Sequence, residues 1–152
     1  MNKKKLIQIL IHVLVPIFIG SLIYLMFRNS SLLVFNWIDF CGAKPFIFAA
    51  RNNVLILRKY IPDFFLYSLP DGIWVYSCTF ALLIIWKNCL NNLYGFFWIF
   101  IPLLCSLGAE FLQLFGMVEG TFCLFDITAY ISFFCLALYF NKERRNIWAA
   151  KY

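Results

Sequence analysis

Residues 6–27 read Leu-Ile-Gln-Ile-Leu-Ile-His-Val-Leu-Val-Pro-Ile-Phe-Ile-Gly-Ser-Leu-Ile-Tyr-Leu-Met-Phe and follow Lys3, Lys4 and Lys5. Gln8, His12 and Ser21 are the main polar interruptions, so the stretch is long and apolar enough to cross a bilayer as a helix. A signal peptide shares the basic start, but its apolar core ends after about 7–15 residues at a small-residue cleavage site. No Ala-x-Ala follows here, and a retained helix is expected, bent at Pro16, with Gly20 and Ser21 leaving room for a close neighbour. The rest of the chain agrees with this start. Of 152 residues, 64% are hydrophobic and only 13% charged, against about 45–50% and about 25% in soluble domains. So small a soluble protein cannot hide that much apolar surface. The composition excludes a soluble enzyme, a disordered regulator and a fibrous repeat, and points to a single all-α, polytopic membrane domain.

Three further spans are predicted. The second covers 69–86, where Ser68, Pro70 and Asp71 resemble a helix-start signature with a capping box. Eighteen residues at about 1.5 Å each reach roughly 27 Å, close to the hydrocarbon thickness. The third covers 93–115, bends at Pro102 and stops at Gly116, a C-terminal cap. The fourth covers 122–140 and ends before Lys142, Arg144 and Arg145. With both termini cytoplasmic, eight Lys and Arg fall inside and five fall outside. The positive-inside rule therefore favours a multi-pass protein of the bacterial cytoplasmic membrane with both ends inside.

The outer loop, 28–62, is basic although it lies outside. Its apolar pieces, 32–35 and 54–57, are too short to span. Arg51 and Arg58 are seven apart, as are Asn52 and Lys59, so one helix through this region would carry them on a single polar stripe. An interfacial or shallow re-entrant segment fits better than an aqueous loop.

Seven acidic residues remain in the whole chain, and their placement is the main functional clue. Asp71 opens the second span, Glu110 and Gln113 share a face late in the third, and Asp126 lies in the first turns of the fourth. With this topology all four fall in the outer half of the membrane. Glu110 sits roughly 9 Å below the end of its helix, where a carboxylate is costly unless paired, solvated or protonated. Converging carboxylates need compensation: protons, a bound cation or cationic ligand group, or the loop basics Arg51 and Arg58. The blander readings are a cap for Asp71, a helix-dipole partner for Asp126 and interhelical glue for Gln113. His12 lies near the inner side, as a packed residue. The aromatic surplus, Trp74, Trp86 and Trp98 included, reads as belt and lipid-facing surface.

Other chemistries lack their residues. The net charge of +6 comes from Lys and Arg scattered at span ends, with no basic stripe for nucleic acid. There is no Gly-x-Ser-x-Gly elbow, His-Glu-x-x-His pair or phosphate-cradling glycine loop. Six cysteines include no Cys-x-x-Cys pair, and a single histidine offers no zinc set. No cofactor, metal or enzymatic activity is expected. Cys41 and Cys123 fall on one side of the membrane, as a disulfide between them would require.

The stretches Ser68-Leu-Pro-Asp-Gly-Ile-Trp74, Gly108-Ala-Glu-Phe-Leu-Gln113 and Glu119-Gly-Thr-Phe-Cys-Leu-Phe-Asp126 together resemble the VanZ-like family of small bacterial membrane proteins. That family carries a Glu-x-x-Gln pair late in one span and an Asp at the start of the next, matched here by Glu110, Gln113 and Asp126. The Arg common after the pair is absent, Cys123 stands at the place of a first Asp, and Tyr130 at that of the usual Asn. The resemblance implies work on cell-wall or envelope material, in a family named for low-level resistance to the glycopeptide teicoplanin. Three functions are therefore expected in order. The first is an envelope protein holding a polar head group, such as a lipid-linked sugar or a glycopeptide, at an outer acidic–basic cluster. The second is a small homo-oligomeric transporter or ion pathway using protonatable carboxylates. The third is a structural accessory subunit. Membrane lipids are the common partner in all three.

Overall fold

The computed structural model describes residues 3–30, 33–86 and 93–149, with the side chains of 4, 33 and 143–149 left aside. The described residues are helical, with no strand among them. Four helices are long and apolar enough to cross a membrane: Lys5–Phe27, Ser68–Ile85, Leu93–Leu114 and Leu124–Lys142. This is the mark of a multi-pass membrane protein, and the four spans coincide with those read from the hydropathy pattern.

The second span is the hub. More than half of it is buried, whereas the first is half-buried or exposed along nearly all of its length. It packs most extensively on the fourth span and also touches the first and third. Its core residues Val75, Tyr76, Phe80 and Leu83 recur at helical spacing and meet Ile99 from the third span and Tyr130, Phe134 and Ala137 from the fourth. The outward faces of the other spans are apolar, as lipid contact demands.

Small residues set the closest approaches. A Cβ on Gly20 would lie 3.0 Å from Trp74 Nε1 and 3.3 Å from the Pro70 carbonyl, and one on Gly72 would lie 2.7 Å from the Phe133 ring. Gly20 thus has the neighbour expected of it. Trp74, read from sequence as belt surface, is instead half-buried against the first span, stacked on Tyr24 at 5.5 Å between ring centroids. The first span carries a π-turn at Leu10–Leu14 closed by the Val15 N–H on the Leu10 carbonyl, just before Pro16. The widened turn accommodates the ring and the missing donor of the proline. At that turn His12 stacks on Phe80 with centroids 4.2 Å apart and shares a 2.6 Å hydrogen bond between Nδ1 and the Tyr76 hydroxyl. It is a packed residue, away from the acidic groups.

Two expectations about helix ends come out differently. Gly116, at φ +67°, closes the third span: its N–H donates to the Gln113 carbonyl at 3.0 Å, and the Met117 N–H to Leu112 at 2.9 Å. That double closure is the predicted glycine cap. The capping box at Ser68 and Asp71 does not form. Tyr67, before Ser68, has right-handed helical geometry, because the short helix Asp63–Leu66 runs almost directly into the second span. With no extended N-cap residue, Asp71 is released for another partner.

The connector between the first two spans folds as short helices, Leu33–Phe40 and Lys44–Val54, followed by a 3-10 turn, Leu55–Tyr60. The expected single stripe is broken there. A 3-10 turn advances about 120° per residue rather than 100°, so Arg51 is buried while Arg58 is exposed. Cys41 and Cys123 are both free thiols.

Packing at Gly72 offers a direct check. Gly72→Val forces the Phe133 ring out of its place and should cost about 1–3 kcal/mol, lowering the thermal midpoint in detergent by several degrees. An unchanged midpoint would show that the second and fourth spans are not in this register.

Candidate functional site

The first and third spans end, and the second and fourth begin, at one end of the bundle, and the polar residues gather there. Arg28 is the extended residue that closes the first span, its N–H donating to the Tyr24 carbonyl. Its Nη2 donates to Asp71 Oδ2 at 2.9 Å, and both side chains are about three-quarters buried, at 28% and 21% exposed. The guanidinium also lies over the rings of Tyr24 and Tyr67, at 5.4 and 5.2 Å. Contacts of this kind favour a planar, weakly hydrated cation.

Glu110 is almost fully buried, at 3% exposed. Its Oε2 accepts the backbone N–H of Cys123 at 3.1 Å, and its Oε1 accepts the Tyr130 hydroxyl at 3.3 Å. Cys123 is the N-cap of the fourth span: its carbonyl accepts the Asp126 and Ile127 N–H groups at 3.1 and 3.4 Å. Asp126 therefore occupies the position whose side chain reaches back to the N-cap amide in a capping box. Glu110 has taken that amide from the preceding helix. The consequence is visible at Asp126, whose Oδ1 is buried with no hydrogen-bond partner.

Asp71 lies within electrostatic range of Glu110 and Asp126, and Tyr130 lies within range of all three. Convergence from three spans is thus a property of the fold. Among the described residues, one guanidinium, that of Arg28, is ion-paired within this group. The cluster is short of positive charge. No three His, Cys, Asp or Glu among the described residues are placed to hold a metal ion.

The remaining sequence-predicted residues lie around the cluster rather than in it. Gln113 packs its amide on Gly120, where a Cβ would come within 2.6 Å. Arg51 does not pair with a carboxylate: it donates to the carbonyls of Leu25 at 2.6 Å and Arg28 at 2.7 Å, with its guanidinium 4.8 Å from the Phe35 ring centre. It satisfies orphan carbonyls at the end of the first span. Burial lowers its pKa from the usual value, yet a guanidinium keeps its charge at any physiological pH. Arg58 donates to the Tyr67 hydroxyl at 2.6 Å, and so reaches the cluster only through the ring beneath Arg28. The pairing of Arg51 and Arg58 with the acids is corrected: Arg28 is the cation that the cluster uses.

No protein-family model, curated protein or solved structure matches this chain.

Two site residues escaped the sequence reading. Arg28 looked like one more boundary cation after an apolar run. Tyr130 carried a findable signal, since it lies four residues after Asp126 and so shares its helix face. Chemically, the site can hold a cationic group against Asp126 or exchange a proton among carboxylates, and the tyrosine and backbone amide already engage Glu110.

A double-mutant cycle tests the central pair. Arg28→Ala should destabilise by about 1–3 kcal/mol, because it strands a partly buried carboxylate. Adding Asp71→Asn should recover part of that loss. Additive losses would show that the two charges do not stabilise each other.

Proposed function

We propose that this chain is a VanZ-like protein of the bacterial cytoplasmic membrane, with both termini cytoplasmic. Its acidic–basic cluster at the outer ends of the helices holds a cationic or polar group of an envelope-related ligand, a lipid-linked sugar or a glycopeptide. The observation that carries this reading is the buried, unpartnered Oδ1 of Asp126 beside Asp71 and Glu110. A stranded carboxylate oxygen is costly in a poorly hydrated site, and a ligand donor would relieve it. The sequence resemblance supports the class, because its Glu and Asp positions, Glu110 and Asp126, both belong to this cluster. The Lys and Arg distribution supports the orientation.

Glu110 now has two roles in this proposal. It caps the fourth span and, by doing so, leaves Asp126 for the ligand. Its loss would disturb both fold and binding, which makes Asp126 the cleaner test. Expression of the chain in a glycopeptide-susceptible host should raise resistance to teicoplanin. Asp126→Asn, which keeps the shape of the side chain, should abolish that rise at equal levels of membrane-inserted protein. Equal resistance in the variant, or none with the parent chain, would reject the glycopeptide reading.

The topology has its own test. A variant that keeps only Cys41, exposed in the connector, should react with a membrane-impermeant maleimide in intact cells, while one whose single cysteine is Lys142→Cys, at an exposed site, should react after lysis alone. The opposite pattern would place the cluster on the inner face.

A further inference from the structure

The connector exposes side chains that neither water nor a second copy of the chain suits. Phe40 is 94% exposed, Phe46 80%, Tyr60 78% and Ile56 72%. All six residues of the turn Leu55–Tyr60, Leu-Ile-Leu-Arg-Lys-Tyr, are exposed. In a 3-10 turn, side chains three apart eclipse, so Leu55 lies over Arg58 and Ile56 over Lys59. Apolar stems and cationic tips therefore share the same edges.

The charge of this segment is also divided. Lys44 is engaged by Asp39 at 2.7 Å, and Arg51 is buried on backbone carbonyls. Arg58, which spends one donor on the Tyr67 hydroxyl, and Lys59 are the exposed cations beside the apolar tips. A second copy would bring the same positive charge against them, whereas an anionic headgroup complements it. The connector also begins and ends at span termini, which holds it at the depth where headgroups lie.

We propose that the connector lies in the headgroup layer beside the cluster and docks on anionic phospholipid. In this arrangement Phe40, Phe46 and Ile56 enter the acyl boundary, and Arg58 and Lys59 contact lipid phosphate. Their stems run along the apolar layer while their charged ends stay in the polar one. The inference is independent of what the cluster holds.

Nitroxide labels at Phe40→Cys, Phe46→Cys and Ile56→Cys, on a chain whose native cysteines are serine, would measure this in reconstituted bilayers. Collisions with oxygen should exceed those with a water-soluble nickel reagent at all three sites. Nickel-dominated collisions would make the connector an aqueous loop. Shielding from both reagents would reveal a protein partner or a second copy. Either outcome overturns the proposal. In phosphatidylcholine mixed with phosphatidylglycerol, spin-labelled phosphatidylglycerol should be enriched around the protein. Lys59→Gln should lower that enrichment severalfold, up to about fivefold for one cation at an anionic surface. Lys44→Gln, which removes an already paired charge, should leave it near the parent value. Equal association of both lipids with the parent chain would refute the anionic preference.

Discussion

Helix ends in a bilayer carry backbone groups that water does not reach, and at one end of this bundle charged side chains satisfy them. Arg51 takes the carbonyls of Leu25 and Arg28. By doing so it fixes the turn out of the first span, and with it the position from which Arg28 reaches Asp71. Glu110 performs the mirror operation on the amide of Cys123. A cation on carbonyls and an anion on an amide are both placed as the helix dipoles favour. Arg28 with Asp71 ties the first span to the second, and Glu110 with the Cys123 amide ties the third to the fourth. The polar cluster is thus built from the requirement that no backbone group be left unsatisfied at membrane depth.

That economy has a cost at one position. The fourth span contains its own acid for the capping role, Asp126, but the amide is already taken by Glu110. Two acids for one amide leave a carboxylate oxygen buried without a donor. Neighbouring carboxylates are thus treated unequally: one pairs with Arg28, one with an amide and a phenol, and one has no donor at Oδ1, the feature on which the proposed ligand role rests.

The connector follows a related logic on the outside of the molecule. A six-residue turn whose side chains are all exposed cannot gain its stability from a protein core. Its mixture of leucine, isoleucine, tyrosine, lysine and arginine suits a boundary where an apolar and a polar medium meet. Burying Arg51 while exposing Arg58 divides the work: one basic residue builds the corner and the other faces outward.

The spans were legible in the sequence because a bilayer imposes a one-dimensional rule, a run of apolar residues of sufficient length, that needs no knowledge of neighbours. Gly116 was legible for the same local reason, since a left-handed residue ends a helix wherever it occurs. That Asp71, Glu110 and Asp126 lie at the same end of the bundle followed from span order, because the spans alternate in direction; that they approach one another depended on how the spans pack. The pairings did not follow. Whether Arg28, Arg51 or Arg58 meets Asp71 depends on how the connector folds back, and spacing of seven carried no information once the helix tightened at Leu55. Trp74 was read as lipid-facing because no one-dimensional pattern marks which face of an all-apolar helix meets Gly20. The displaced cap at Asp126 was likewise invisible, because the competing acid comes from another helix. Local sequence determined which segments are helices and where they stop; the tertiary structure decided which charges are neighbours, since electrostatic pairing depends on distances across the bundle.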